Sequence, residues 1–113
     1  MMVNRLCGAS LALALITGSA GTAMADGDAE AGRQKSQVCQ ACHGEVGISV
    51  DPTYPHLAGQ YADYLEYSLK RYRSGERQNV LMSPMAANLT DQDIEDLAAW
   101  YSSQDGLRSV SGR

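Results

Sequence analysis

Apolar and polar residues alternate with a helical period in three segments of the chain. In GQYADYLEYSLKRYRSGER the apolar positions recur every three or four residues, at Tyr61, Leu65, Leu69 and Tyr72. This spacing predicts a helix over about residues 60–73 with these side chains on one face, and Gly75 supplies the stop signal. No segment alternates with period two for long enough to predict a strand, so an all-α fold is expected.

The segment LTDQDIEDLAAWYSSQ predicts the last helix. Thr90 is a suitable N-cap, and Asp93 stands at the partner position of a capping box. The inward-facing stripe is expected to consist of Ile94, Leu97, Ala98 and Tyr101. Four acids crowd the first turns and are expected to form a solvated face that suits the helix dipole: Asp91, Asp93, Glu95 and Asp96.

A further helix is expected to start at Asp26 or Asp28 and to run to about Gln40. Gly32 lies in its interior. An interior glycine costs about 1 kcal/mol relative to alanine. Close approach of another helix at Gly32 is the physical reason that best accounts for that cost.

Residues 1–25 are typical of a secretory signal peptide. The basic Arg5 precedes a short apolar run, and small residues follow up to Ala25. Cleavage is expected after Ala25, which removes Cys7 and leaves a single domain from residue 26 to residue 113. The apolar core of the peptide is too short to span a bilayer comfortably as a retained helix.

The charge of the mature chain restricts its partners. Eight Lys and Arg residues stand against thirteen Asp and Glu residues after cleavage, which gives a net charge of −5 and argues against nucleic acid as a partner. A domain of this size has a small apolar core, and natural proteins of similar size usually add a metal, a disulfide or a cofactor.

The segment CQACHGEVG carries the candidate chemistry. A zinc site would have to combine Cys39, Cys42 and the adjacent His43 with His56, which is a cramped set of ligands. A redox dithiol of the thioredoxin type needs a strand before it, and a plain disulfide leaves the histidine unexplained. Covalent attachment of haem c through the two thiols, with iron bound by His43, accounts for all three residues of the motif.

Two methionines are candidates for the second axial ligand of such an iron. Met82 and Met85 stand about forty residues after the motif, in an expected loop between two helices. Pro84 favours extended geometry at the residue before it, so the two methionines are not expected to share one helical face. His56 is a weaker rival because it is close to His43 in sequence.

The mature chain resembles the class I cytochromes c, and more narrowly the bacterial cytochrome c4 and c5-like group. The blocks that carry the resemblance are DAEAGRQKSQVCQACHGEVG, YPHLAGQYADYL and MSPMAANLTDQDIEDLAAWYSSQ. It implies a small cytochrome c fold in which the N- and C-terminal helices cross and a central helix and loops wrap one haem. Residues 105–113 fall outside the resemblance and are expected to be a flexible tail.

The resemblance also implies residue roles. The carbonyl of Pro55 would accept a hydrogen bond from the histidine ligand, and Leu57 would pack on the haem. Gly32 would lie where the N-terminal helix crosses the C-terminal one, opposite Trp100 or Tyr101. The first methionine of the M-x-x-M pattern, Met82, would be the iron ligand, with Met85 as the alternative.

These features predict a periplasmic protein that carries one electron at a time between redox partners and is not an enzyme. A haem with both axial positions filled has no open site for a small-molecule substrate, and contacts with redox partners, including membrane-bound complexes, are expected to be transient. One alternative is a haem c subunit of a larger periplasmic dehydrogenase or oxidase complex. Another is a ligand-binding haem protein. Cytochrome c4 has two haem domains, whereas this chain has one C-x-x-C-H motif.

Overall fold

The computed structural model describes residues 26–107 and contains five helices and no strand within that range. In chain order they are α1 (Ala29–Lys35), α2 (Gln37–His43), α3 (Ala62–Ser74), α4 (Met82–Ala86) and α5 (Asp91–Ser102). The expected all-α class is confirmed. Between residues 26 and 107, no helix is long and apolar enough to cross a membrane. The predicted signal peptide, residues 1–25, lies outside the described residues.

The chain leading into the cysteine motif forms two helices where one was predicted. Asp28 caps α1, since its carboxylate accepts hydrogen bonds from two backbone N–H groups of the first turn. The break lies at Ser36, whose hydroxyl donates to the Arg33 carbonyl at 2.7 Å, and such a local bond competes with a continuous helix. α2 then runs to His43, beyond the predicted end at Gln40, so the whole cysteine motif is helical.

α1 crosses α5 at Gly32. A Cβ atom at this position would overlap the backbone carbonyl of Asp96 and press on the Cβ of Trp100. The predicted close approach of another helix at this glycine is therefore confirmed, and the aromatic residue opposite it is Trp100. α3 and α1 both pack on α5, and α4 packs on α3. One core cluster consists of Leu65, Leu97, Ala98 and Tyr101, and the other buried apolar residues are Ala58, Ala86 and Ile94.

α5 begins as predicted, with a complete capping box. The hydroxyl of Thr90 accepts from the Asp93 N–H at 3.1 Å, and the Asp93 carboxylate accepts from the Thr90 N–H at 2.9 Å. The predicted inward stripe is buried. The expectation of a wholly solvated acidic face was wrong at Asp96, which is only 3% exposed.

Asp96 is buried because it ties α1 to α5. Its carboxylate accepts from the backbone N–H of Asp28 at 2.8 Å, from Lys35 at 2.6 Å and from Gln92 at 2.9 Å. Burial alone would raise the pKa of Asp96, but these hydrogen bonds outweigh it and the pKa is lowered. Lys35 also bonds Asp93 at 2.8 Å. This contact and then the bonds to Thr90 lower the pKa of Asp93 to about 2.

Acid is expected to weaken this junction between about pH 4 and pH 2. The pKa of Asp93 is about 2 in the folded protein and about 3.9 in an unfolded chain, so the unfolded state takes up its proton first as the pH falls. The bond to Lys35 is partly exposed, and the contribution lost is therefore about 1 kcal/mol. Urea unfolding followed by circular dichroism at several pH values measures it.

The matched variants for this measurement lie on α1. Lys35→Met should flatten the acid dependence between pH 4 and pH 2, since Asp93 then loses its cationic partner. Arg33→Met removes the exposed ion pair with Glu30 and should leave the dependence nearly as in the wild type. Equal pH slopes in the Lys35 variant and the wild type would contradict the assignment.

α3 spans nearly the predicted residues and ends at Gly75, which adopts a left-handed conformation with φ of 82°. Leu65 is buried and Leu69 packs against the core, as the periodicity indicates. Tyr61 differs from the prediction because it precedes the helix as its N-cap residue and is 64% exposed.

The chain after α5 turns back onto the core rather than leaving it at once. The backbone N–H of Leu107 donates to the Ala58 carbonyl at 2.8 Å, and Gly106 lies so close to Ala58 that a Cβ would overlap it. The predicted tail therefore cannot start at residue 105. Residues 108–113 lie outside the described part of the chain.

Candidate haem-binding site

Both cysteines of the motif lie on α2 and are free thiols. Cys39 and Cys42 are three residues apart, so their side chains leave the helix on the same side. Cys39 packs against the core cluster. One helix thus carries the two thiols, and its last residue is His43.

His43 is held in a defined tautomer. Its ring is buried, with 6% of its surface exposed, and its Nδ1 lies 2.9 Å from the carbonyl oxygen of Pro55. A carbonyl can only accept, so Nδ1 carries the proton and the lone pair remains on Nε2. The ring of Tyr54 lies edge-on to the imidazole with 6.5 Å between centroids. An imidazole fixed in this way presents Nε2 as a metal ligand.

Two glycines bring Pro55 to His43 by turning the chain back after α2. Gly44 and Gly47 have φ of 83° and 85°, a region that favours glycine. The Gly47 carbonyl then accepts from the N–H groups of Leu57 and Ala58 at 2.8 and 3.1 Å. The resemblance implies the contact between Pro55 and His43, and the local backbone geometry explains it.

Met82 and Met85 do not lie in a loop, and the expectation that they share no helical face was wrong. Both belong to α4 and are three residues apart on it. Pro84 is the third residue of this helix, and in the first turn of a helix the missing N–H of proline breaks no hydrogen bond. Ser83 is helical in spite of the proline after it.

Sequence reasoning missed Asn79, whose side chain fixes the start of α4. Its Oδ1 accepts hydrogen bonds from the N–H groups of Leu81 and Met82, both at 2.9 Å. Asparagine is among the preferred residues for capping exposed N–H groups at a helix start. An asparagine shortly before the methionines was the signal that could have found it.

The structure places the other two candidate residues on the same return segment as Pro55. Leu57 is partly buried and packs against the core cluster. His56 lies next to Pro55, and its Nδ1 accepts a hydrogen bond from the Ser49 N–H at 2.9 Å. Nδ1 of His56 is therefore already hydrogen-bonded, and His56 lies next to the residue whose carbonyl contacts His43.

The structure disfavours two of the alternative chemistries of the motif. No group of three or more His, Cys, Asp or Glu side chains between residues 26 and 107 could hold a metal ion, as a zinc site requires. A reactive dithiol needs a lowered thiol pKa, whereas burial raises the pKa of the Cys39 thiol.

The residues present fit a haem group. The donor set consists of two thiols, a tautomer-fixed imidazole and thioether sulfurs on α4, which are the groups that c-type attachment and axial ligation use. α4 and the residues before it also leave apolar side chains uncovered, since Val80 is 90% exposed, Leu81 54% and Met85 45%. α2 thus supplies covalent anchors and the α4 segment supplies uncovered apolar surface, although the two helices do not pack on each other.

A small helical core with this set of donors defines the class of c-type haem proteins. The chain belongs to the cytochrome c family, because the family model described as cytochrome c matches residues 29–105. Members of this family bind haem iron and serve electron transport.

The chain is similar to cytochrome c-554(548) of Halomonas halodenitrificans, with 54% identity over 82 residues that cover 70% of this chain and 99% of that one. It is 44% identical over 94 residues to cytochrome c4 of Pseudomonas aeruginosa, which covers 83% of this chain and 47% of that one. The crystal structure of reduced cytochrome c4 from Pseudomonas stutzeri matches with a TM-score of 0.68 and 44% identity, over 72% of this chain and 47% of that chain. The chain thus spans about half the length of these cytochrome c4 relatives.

Proposed function

We propose that this protein is a periplasmic electron carrier with one covalently attached haem. The observation that carries the proposal is the arrangement of α2, where two free thiols precede a buried His43 whose Nδ1 is bonded to the Pro55 carbonyl. This leaves Nε2 as the ring nitrogen available to iron. The family supports the electron-carrier role, and the motif occurs once in the 113-residue sequence.

Each residue of the site has a separate role in the proposal. Cys39 and Cys42 would form the thioether bonds that hold the haem, and His43 would bind its iron. Pro55 would hold the His43 ring and raise its basicity as a ligand. The sulfur of Met82 would be the second iron ligand, with Met85 as the alternative, and Leu57 would contribute apolar contact.

Ligation by an imidazole and a thioether suits a carrier rather than an enzyme. When bound, haem iron supplies a one-electron couple, and a thioether ligand raises its reduction potential. With His43 and Met82 bound to the iron, the protein would keep substrates and oxygen from it and would release no ligand when the iron changes its oxidation state. The side chains therefore need to move little during electron transfer.

The proposed partners are redox proteins of the periplasm, to which the predicted signal peptide would direct the chain. The acidic mature chain would associate faster with basic partner surfaces. All three cations of α3 are paired within the molecule: Lys70 with Glu66, Arg71 with Glu76 and Arg73 with Asp91. They offer little free positive charge to an acidic partner.

The mature protein, isolated from a host that attaches haem c, tests this proposal. Its mass should exceed that of residues 26–113 by one haem, with no thiol left to titrate. The reduced protein should bind carbon monoxide slowly and incompletely at neutral pH, because both axial positions are filled. A mass equal to that of the polypeptide refutes haem attachment, and rapid, complete binding of carbon monoxide refutes the two-ligand carrier.

A further inference from the structure

A side-chain hydrogen bond ties the return loop after α2 to the segment that carries Pro55. The Ser49 N–H donates to Nδ1 of His56 at 2.9 Å. The Ser49 hydroxyl lies 2.9 Å from the Asp51 carbonyl oxygen and 3.2 Å from that of Cys42, and its single proton can be donated to one of them at a time. His56 is joined by a peptide bond to Pro55, whose carbonyl contacts Nδ1 of His43 at 2.9 Å.

His56 is the side chain that joins the loop to the Pro55 segment. A backbone N–H can only donate, so Nδ1 of His56 must accept and carries no proton in this arrangement. Ser49 is buried, with 8% of its surface exposed. His56 itself is exposed and the bond is part-buried, so its loss is expected to cost about 1 kcal/mol.

We infer that His56 is a positioning residue for the iron ligand His43, acting through Ser49 and Pro55. This inference rests on the proposed ligation of haem iron by His43. His56 binds the loop of residues 44–51 to the segment that carries the Pro55 carbonyl. Its side chain thereby restricts where that carbonyl lies, and the carbonyl sets the orientation and basicity of the His43 ring.

Backbone–backbone hydrogen bonds hold this segment on both sides of Pro55 and His56 but do not reach these two residues. The Gly47 carbonyl accepts from Leu57 and Ala58 on one side, and the Tyr54 N–H donates to the Asp51 carbonyl at 3.1 Å on the other. The bond from Ser49 to His56 adds an attachment point immediately beside Pro55.

The test compares the haem-loaded full chain with three variants. His56→Ala removes the acceptor. His56→Asn keeps an acceptor, Oδ1, at the same distance from the backbone as Nδ1. Val50→Ala is the control, since Val50 belongs to the same loop and is fully exposed. Nuclear magnetic resonance measures hydrogen exchange of the Ser49 amide and of the His43 ring Nδ1 proton.

Both protons should exchange about fivefold faster or more in His56→Ala, which is the factor expected for loss of a hydrogen bond worth about 1 kcal/mol. His56→Asn should restore both rates to within about twofold of the wild type, and Val50→Ala should leave them unchanged. The response of the His43 proton distinguishes positioning of the ligand from support of the loop alone. Unchanged exchange of that proton in His56→Ala overturns the inference.

A further variant covers the case in which His56→Ala does not accumulate. His56→Gln has the same amide group as His56→Asn but places the acceptor one bond further from the backbone. The Ser49 amide proton and the His43 Nδ1 proton should therefore exchange faster in His56→Gln than in His56→Asn. Equal rates in these two variants overturn the inference. The haem content of the wild type separates the two levels of failure, because a wild type without covalent haem refutes the proposed function, and the positioning role with it.

Discussion

A variant in which Cys39 and Cys42 are both replaced by alanine is expected to contain no covalently bound haem after maturation in a host that attaches haem c. The two thiols lie on one side of α2 and are unengaged in a disulfide. Both bonds of the proposed attachment start from these sulfur atoms. Mass spectrometry should give the mass of residues 26–113 with the two substitutions, and no haem absorbance should survive denaturation and extraction.

The same variant is expected to unfold at a lower temperature than the wild type. Seven apolar residues in the described part of the chain are buried, and three of them are alanines; a domain of this size has little stability to spare without a cofactor. The apolar residues around α4 would also remain uncovered. Circular dichroism at 222 nm should show the lower midpoint.

Val38→Ala is the matched control for the cysteine variant. Val38 lies on α2 beside Cys39, is 66% exposed and carries no sulfur. It should retain full haem content and a midpoint close to that of the wild type. Covalent haem in the double alanine variant would contradict the proposed attachment, because haem would then be held by some other group.

Local signals predicted the parts of the fold that depend on local chemistry. The capping box of Thr90 and Asp93 and the left-handed Gly75 each satisfy backbone groups within a few residues, so a single stretch of sequence is sufficient to find them. The pattern of the cysteine motif likewise indicates its chemistry within five residues. The crossing at Gly32 could be predicted because a glycine inside a helix is destabilising and is therefore expected where a close helix requires it.

The features that sequence reasoning missed depend on contacts between distant segments. Asp96 resembles the other acids at the helix start in its local sequence, and its burial depends on the approach of Lys35 and of the Asp28 N–H from the segment of α1. The bond between Ser49 and His56 forms because two glycines turn the chain back. Hydrophobic periodicity does not predict such pairings, because the sequence around each partner is like that around a solvent-exposed residue.

The methionine segment shows a different limit of sequence reasoning. The steric preference of the residue before a proline favours extended geometry, yet Ser83 is helical. Ser83 donates its N–H to the Asn79 carbonyl, and its hydroxyl accepts from the Asn79 N–H, both at 3.0 Å. Together with the cap from the Asn79 side chain, these bonds outweigh the local preference.

Because both methionines lie on α4, the structure offers two candidate sulfurs for the iron, and an experiment can decide between them. Met82 and Met85 leave α4 on the same side, so each sulfur is a candidate by direction. Met82 is the more buried of the two, whereas Met85 is 45% exposed. The backbone N–H of Met82 is also held by Asn79. A partly buried side chain on a held backbone loses less conformational entropy when its sulfur binds iron, which favours Met82.

Met82→Ala is therefore expected to abolish the far-red absorption band of methionine-ligated ferric haem, to lower the reduction potential and to allow rapid, complete binding of carbon monoxide to the reduced protein. Met85→Ala, the matched control one helical turn away, should retain the band and bind carbon monoxide as little as the wild type. Visible spectra of both variants in both oxidation states measure these effects. A band that survives in Met82→Ala and disappears in Met85→Ala would reverse the assignment. Survival in both single variants but not in the double variant would mean that either sulfur can serve, as their shared face on α4 permits.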